Sequence, residues 1–248
     1  MKYLNWNKQT ISDFSGGVID RAYNDGYVFT RTAKGAMDQT RSVRIDLKKF
    51  ELTSENRRVI KKTEGLSVAS KKLPLSDYDF TLGKLAKDFY DTKFGAGIMS
   101  AQKIKEMLTD ASKSNFNVLL TYSLPSETGT AKAESNAPTS TSTTPTAPAK
   151  NPCGYAICFA SESILHYSYP FYDLTTAPKD MGLGMMLRAI LHAKELNLKY
   201  VYLGSLQRPG DVYKLQFDGL EWFDGKVWKT DVEEVKRILG EASPLQAS

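Results

Sequence analysis

The stretch ILHYSYPFYDLTTAPKDMGLGMMLRAILHAKELNLKYVYLGS, residues 164–205, decides the fold class. Its first nine residues alternate. Leu165, Tyr167, Tyr169 and Phe171 share one face, and His166 and Ser168 take the other, which is the two-residue period of a strand. Pro170 has no N–H to give a sheet ladder, so an edge or a bulge is expected there. From Asp180 to Asn197 the period becomes helical. Arg188, His192, Glu195 and Lys199 recur at spacings of four, three and four as a wet stripe, with Met186, Ile190, Ala193 and Leu196 on the buried side. Tyr200 to Leu203 is then a buried strand. Strand, helix and strand in close succession predict a mixed α/β sheet flanked by helices.

Outward from this core the same mixture continues. Toward the N-terminus, Ile11–Tyr23 predicts a weak helix, Tyr27–Arg31 and Arg41–Leu47 predict strands, and Ser54 caps a helix to Glu64. Leu66–Ala69 is a short strand, and helices follow over Phe80–Lys93 and Ala101–Thr109, the second capped by Ser100. Val118–Leu124 and Gly154–Ala160 are strands on either side of an unusual segment. Between Pro125 and Pro152 lie five of the ten prolines, much Ser, Thr and Ala, and no aromatic residue. Such a composition cannot bury enough apolar surface to offset its ordering entropy, so a disordered loop interrupting a hairpin is expected. The chain thus divides into 1–124, a loop over 125–152, and 153–248. Toward the C-terminus, Glu221–Phe223 and Lys226–Trp228 flank Asp224-Gly225 as a tight hairpin, and Asp231 with Glu234 opens a last helix to Leu239.

The 248 residues carry 25% charged and 41% hydrophobic side chains, an ordinary globular composition with a net charge of +5. No run approaches the roughly 20 apolar residues that span a bilayer, and the opening MKYLNWNKQT lacks an apolar signal core, so a cytoplasmic chain is expected. Two cysteines, Cys153 and Cys158, read as small buried strand residues. With two histidines they are too few for a disulfide framework or a Cys/His zinc site. No metal and no cofactor is expected.

Three constellations could carry chemistry. Lys179-Asp180-Met181-Gly182-Leu183-Gly184 lies between a strand and the clearest helix, where glycines let backbone N–H groups approach an anion at a helix N-terminus. Its spacing resembles the pyrophosphate-cradling signature of the acetyltransferase superfamily. The segment from Arg31 to Lys62 holds ten cations against four acids, and Arg57 with Lys61, and Arg58 with Lys62, stand four apart as adjacent basic ridges. That face suits a phosphate backbone, and equally a solvated helix surface. Last, Tyr202-Leu203-Gly204-Ser205 ends a buried strand where α/β sheets admit ligands, followed by Tyr213-Lys214, Glu221 and Trp228. No Ser-His-Asp, Cys-His or paired-carboxylate set is present. His192 falls on the wet stripe, and His166 reads as a structural histidine rather than a base. That pattern suits a transferase that positions an already activated donor.

Taken together, these residues resemble the arginyl-tRNA–protein transferase family, with its bacterial leucyl-transferring relatives (aspartate/glutamate leucyltransferases). The resemblance rests on Tyr23, Gly26-Tyr27, Arg41 to Ile45, Ser54 to Arg58 with Lys61-Lys62, then Tyr172-Asp173, Leu183-Gly184, Arg188 to Ile190, Ala193 to Leu196, Tyr200, Tyr202 to Gly204, Tyr213-Lys214, Glu221 and Trp228. Family members open with a cysteine-rich segment, whereas no cysteine precedes Cys153 here, and Ser205 stands where an aromatic is usual. The resemblance implies two acetyltransferase-like (GNAT-type) units packed together, an aminoacyl-tRNA donor and a protein or peptide acceptor. On this expectation Arg41, Arg44, Arg57, Arg58, Lys61 and Lys62 grip tRNA. Lys179, Gly182, Gly184, Tyr202, Gly204, Ser205, Tyr213 and Lys214 hold the aminoacyl end or the acceptor. Two rivals remain: an acetyl-CoA-dependent N-acetyltransferase, and a non-catalytic tRNA-binding relative.

Overall fold

A computed structural model describes residues 4–125 and 152–241, so the segment expected to form a disordered loop lies, but for its end residues, outside the described residues. In chain order the elements are β1 (Asn7–Thr10), α1 (Gly16–Asn24), β2 (Tyr27–Phe29), β3 (Ala36–Gln39), β4 (Ser42–Asp46), α2 (Ser54–Lys62), β5 (Ser67–Lys72), α3 (Phe80–Phe94), α4 (Ala101–Thr109) and β6 (Val118–Ser123). After these come β7 (Pro152–Ala160), β8 (Ile164–Tyr172), α5 (Met181–Glu195), β9 (Tyr200–Ser205), a 3-10 helix (Pro209–Gln216), β10 (Leu220–Phe223), β11 (Trp228–Lys229) and α6 (Val232–Glu241).

Eight strands form one mixed sheet in the order β11-β10-β4-β9-β8-β7-β6-β5, and β1, β3 and β2 form a small antiparallel sheet of their own. Among the described strands only β8 and β9 run parallel, and α5 makes the crossover that parallel neighbours require. β6 and β7 pair as the hairpin expected on either side of the proline-rich segment. Strands from before and after that segment interleave, with β4 between β9 and β10. The two halves of the chain therefore share one sheet.

Side-chain alternation along the strands feeds two cores. Val43, Ile45, Leu120, Tyr122, Cys158, Val201 and Trp222 pack with α2, α5 and α6 on one face. Leu119, Ile157, Phe159, Ile164 and Tyr202 pack with α1, α3 and α4 on the other. β8 departs from the expected simple alternation. Cys158 pairs with Tyr167 but Ile157 pairs with Tyr169, leaving Ser168 as an extra, bulged residue. One extra residue turns every following side chain to the opposite face, so Leu165 and Tyr167 enter the first core while Tyr169 and Phe171 join the second.

Several local expectations shift. The α2 cap is Thr53, not Ser54: its hydroxyl accepts from the Asn56 N–H at 3.1 Å while the Asn56 side chain accepts from the Thr53 N–H. The last hairpin turns through Asp224–Val227, because the Asp224 carboxylate accepts the Lys226 and Val227 amides and draws two more residues into the loop. Leu196 is exposed, lying just past the end of α5. The Ser100 cap and the Asp231 cap form as expected.

Arg44 requires a larger correction. It was expected at a tRNA phosphate, yet it is buried and fully occupied. Its guanidinium lies between the Tyr200 and Trp228 rings, 3.9 Å from each centroid, pairs with Glu221 at 2.7 Å and donates to Asn24 and Tyr202. The matched Tyr200, Glu221 and Trp228 are thus partners of one buried cation that ties β4, β9, β10 and β11 together. Removing one member of a buried ion pair strands the other charge. Glu221→Gln should therefore lower unfolding stability in urea by about 3 kcal/mol, whereas Arg57→Ala on exposed α2 should stay within about 0.5 kcal/mol.

Candidate active site

The pairing of β8 with β9 lasts only from Ile164–Tyr200 to His166–Tyr202; beyond it the strands part. Two features of β8 fit this opening, the Ser168 bulge and Pro170, whose missing N–H leaves no gap in a ladder that has already ended. The α5 helix begins beside the gap. A cleft of about 1070 Å³ fills it, reaching from the start of α5 on one face of the sheet to α3 and β2 on the other.

His166 is the last residue of β8 paired with β9 and stands at the closed end of the cleft, with Gly204 and Ser205 continuing along β9. Gly204 adopts a φ of +77°, a conformation that costs glycine nothing, and the Lys214 ammonium lies beside it. Lys214 is buried, donates to the Ser205 carbonyl at 2.9 Å and sits 3.7 Å from Asp211; burial pulls its pKa down. Tyr213 lies half-exposed on the wall. Phe89, Tyr90 and Phe94 of α3 with Tyr169 and Tyr172 of β8 make an aromatic wall, and Arg31, Lys93 and Arg208 supply cations. Arg31 donates to the Ile98 carbonyl at 2.8 Å and lies over the Tyr169 ring.

The cleft thus brings together Gly182, Gly204, Ser205, Tyr213 and Lys214 of the expected set. Three others stand outside its wall. Tyr202 is wholly buried in the second core, its hydroxyl engaged by Arg44. Gly184 serves helix packing: a Cβ there would come within 2.6 Å of the Thr63 methyl, so glycine lets the end of α2 lie against α5. Lys179 is exposed, and only its neighbours Pro178 and Asp180 line the rim. The α5 N-terminus is also occupied by its own neighbours. Asp180, in the left-handed region at φ +67°, places its carboxylate on Lys62 at 2.7 Å, and a Cβ on Gly182 would lie 3.3 Å from the Tyr172 hydroxyl. A pyrophosphate at this turn would meet a carboxylate.

The Lys62–Asp180 bridge carries the C-terminal end of α2 to the cleft rim. On α2, Arg57 and Lys61 are exposed and form no ion pair among the described residues, whereas Arg58 is paired with Glu55. Arg41 is partly buried, and its buried Nε has no hydrogen-bond partner among the described residues. Lys93, Arg208 and the α3 aromatics carry no site signal in the sequence, and Arg31 stands out there only as the first cation of the basic segment. They come from separate elements, and on α3 only the spacing of four between Tyr90 and Phe94 could have marked a shared face. No group of three or more His, Cys, Asp or Glu suited to a metal occurs among the described residues. No described helix is long and apolar enough to cross a membrane.

No protein-family model matches the chain, and no curated protein matches its sequence. Among solved structures, L-PGS from Bacillus licheniformis is similar over 91% of this chain and 70% of its own, at 11% identity and a TM-score of 0.45. The C-terminal domain of a protein described as a lysylphosphatidylglycerol synthetase, from Agrobacterium fabrum, is similar over 81% of this chain and 55% of its own, at 11% identity and a TM-score of 0.38. Neither score reaches 0.5, and neither likeness bears on the fold or the chemistry argued from the chain's own residues.

His166 has a measurable signature. Burial, with the Lys214 charge adding to it, pushes its pKa down to about 3. Between about pH 3 and the ordinary histidine value near 6.5 the unfolded chain binds a proton that the folded chain refuses, so stability rises with pH across that window. Urea unfolding of wild type and His166→Leu at pH 4.5 and 6.0 should show a slope smaller in the variant by about 1.4 kcal/mol per pH unit. Equal slopes would mean that His166 titrates normally.

Proposed function

We propose that the protein is an acyltransferase that moves an amino acid from charged tRNA to the N-terminal amine of a protein or peptide, as in the arginyl- or leucyl-transferring family it resembles. The observation that carries this reading is the junction of α2 with α5. A helix whose exposed cations Arg57 and Lys61 form no ion pair among the described residues ends through Lys62 at the rim of a deep, aromatic-walled cleft. A ligand with a polyanionic body and a slender reactive end fits both parts. The phosphates take the cations, the terminal base finds aromatic faces, and the ester enters the gap between β8 and β9. Because an aminoacyl ester is already activated, alignment with the acceptor amine and polarisation of its carbonyl supply most of the acceleration.

Binding of a coenzyme-A pyrophosphate at the α5 turn is disfavoured by Asp180 and by the Tyr172 hydroxyl over Gly182. The acetyl-CoA reading therefore predicts a rise in melting temperature on adding that cofactor, and no such rise is expected.

A mixture of labelled aminoacyl-tRNAs is offered to the protein with peptides beginning in Asp, Glu or a neutral residue. Phosphatidylglycerol vesicles form a further arm, after the lipid in the Agrobacterium neighbour's description. Label on a peptide with an acidic first residue is the expected result. Label on the vesicles alone would replace the acceptor, and label on nothing would overturn transfer and leave a binding protein. In a parallel measurement, Arg57→Glu with Lys61→Glu should weaken tRNA binding and reduce the slope of log affinity against log salt by about two. An unchanged slope would place that helix face in bulk solvent only.

A further inference from the structure

His166 stands at the closed end of the cleft that the proposed ester would enter, and burial depresses its pKa, which makes it a poor base at neutral pH. Its surroundings suit the opposite task. The ring is held on one side by the Tyr23 hydroxyl, 2.9 Å from Nδ1. Tyr23 is wholly buried, its ring packed against Phe29, Phe159 and Tyr202 as well as His166. Its oxygen already faces the Phe29 N–H at 3.5 Å, and burial raises its pKa well above the ordinary value, so the O–H proton stays in place. A buried O–H needs an acceptor. Among the described residues, Nδ1 of His166 is the acceptor within reach of that proton. Nδ1 is then unprotonated, and in a neutral ring the proton resides on Nε2. Nε2 makes no hydrogen bond among the described residues, and the ring lines the cleft at the point where β8 and β9 separate. The buried Lys214 ammonium is near enough to add to the depression of its pKa, which further disfavours an imidazolium.

We propose that His166 is a catalytic residue that donates its Nε2–H to the carbonyl oxygen of the acyl donor, with Tyr23 as the positioning residue that sets the donating tautomer. This rests on the proposed acyl transfer. As the acceptor amine attacks, its nitrogen bonds to the ester carbon and the carbonyl π electrons move to oxygen, which the Nε2–H receives. Collapse of that intermediate re-forms the C=O and breaks the bond to the ribose oxygen. The leaving oxygen takes a proton, the amine gives one up to solvent, and His166 keeps its own throughout. A neutral imidazole, which need not lose charge on donating, stabilises the oxyanion without competing for the amine's proton.

The chain has two histidines, so ¹⁵N-histidine labelling of the full-length protein gives two ring systems, told apart with His166→Phe. Long-range ¹H–¹⁵N spectra should show His166 with an acceptor-type Nδ1 and a protonated Nε2, unchanged from pH 5 to 8. Tyr23→Phe, which keeps the ring and removes the hydroxyl alone, should let the second tautomer appear. Saturation with puromycin, a stable amide analogue of the aminoacyl adenosine end, should move the His166 Nε2–H signal. In the transfer assay His166→Phe should lose about 10²-fold in kcat with KM little changed. His166→Gln, whose amide reaches the Nε2 position, should recover at least tenfold of that loss. A protonated Nδ1, an imidazolium above pH 5, a tautomer indifferent to Tyr23, or a signal unmoved by bound puromycin overturns the inference while transfer itself stands. Failure of puromycin to bind, together with absence of label transfer from any aminoacyl-tRNA, overturns the proposed function and the inference with it.

Discussion

Three residue pairs hold β8 to β9, and the fourth never forms. Most of what is distinctive about this molecule depends on that early end to a parallel ladder. Parallel neighbours need a long crossover, so α5 starts beside the place where they part. The backbone groups freed by the separation need a polar or wet environment, because an unpaired buried amide costs free energy comparable to a lost hydrogen bond. An open cleft lined by Gly204, Ser205, His166 and Lys214 meets that need. The Ser168 bulge contributes a second consequence: by inverting the faces of β8 it turns Tyr169 and Phe171 to the side of α3, where Tyr169 joins the aromatic wall of the cleft and Phe171 the core beneath it.

Two contacts hold the cleft open in one shape. Arg44 with Glu221, sandwiched by Tyr200 and Trp228, joins strands from both ends of the chain beside β9. The close approach of α2 to α5 at Thr63 and Gly184, completed by Lys62 and Asp180, sets the cationic helix against the rim. The first is buried and contributes chiefly to stability and strand order; the second is half-exposed and decides what the mouth of the cleft presents. Charges that look alike along the chain thus have different fates. Arg44 is structural, Arg58 is neutralised by Glu55, and Arg57 and Lys61 are left to solvent.

Much of the element order was legible. The strand–helix–strand core, the hairpin on either side of the proline-rich segment, the caps at Ser100 and Asp231 and the α3 and α4 helices follow from periodicity and capping chemistry, which act over three or four residues. β1 and β3 escaped notice because they are short and polar: Asn7–Thr10 and Ala36–Gln39 are strands by virtue of pairing with each other, not by their own propensity. The Thr53 cap was missed because Thr53 and Ser54 can each cap, and the choice falls to whichever hydroxyl the Asn56 amide meets. In the candidate site, Gly182, Gly204, Ser205, Tyr213 and Lys214 could be named from strand-end and helix-start rules. Gly184 could not be separated from them, since a glycine that admits an anion and one that admits a neighbouring helix are identical in sequence.

The sequence by itself determined the alternation of strands and helices, the position of the proline-rich interruption and the concentration of positive charge between Arg31 and Lys62, because each is a property of neighbouring residues. Only the tertiary structure decided that β4 enters between β9 and β10, that the bulge reverses the far half of β8, that α3 and β2 close the second side of the cleft, and that Tyr23 holds His166. These depend on residues up to 177 positions apart, as Arg44 and Glu221 are. Contacts at such separations are selected by the packing of whole faces, a free energy that no local pattern encodes.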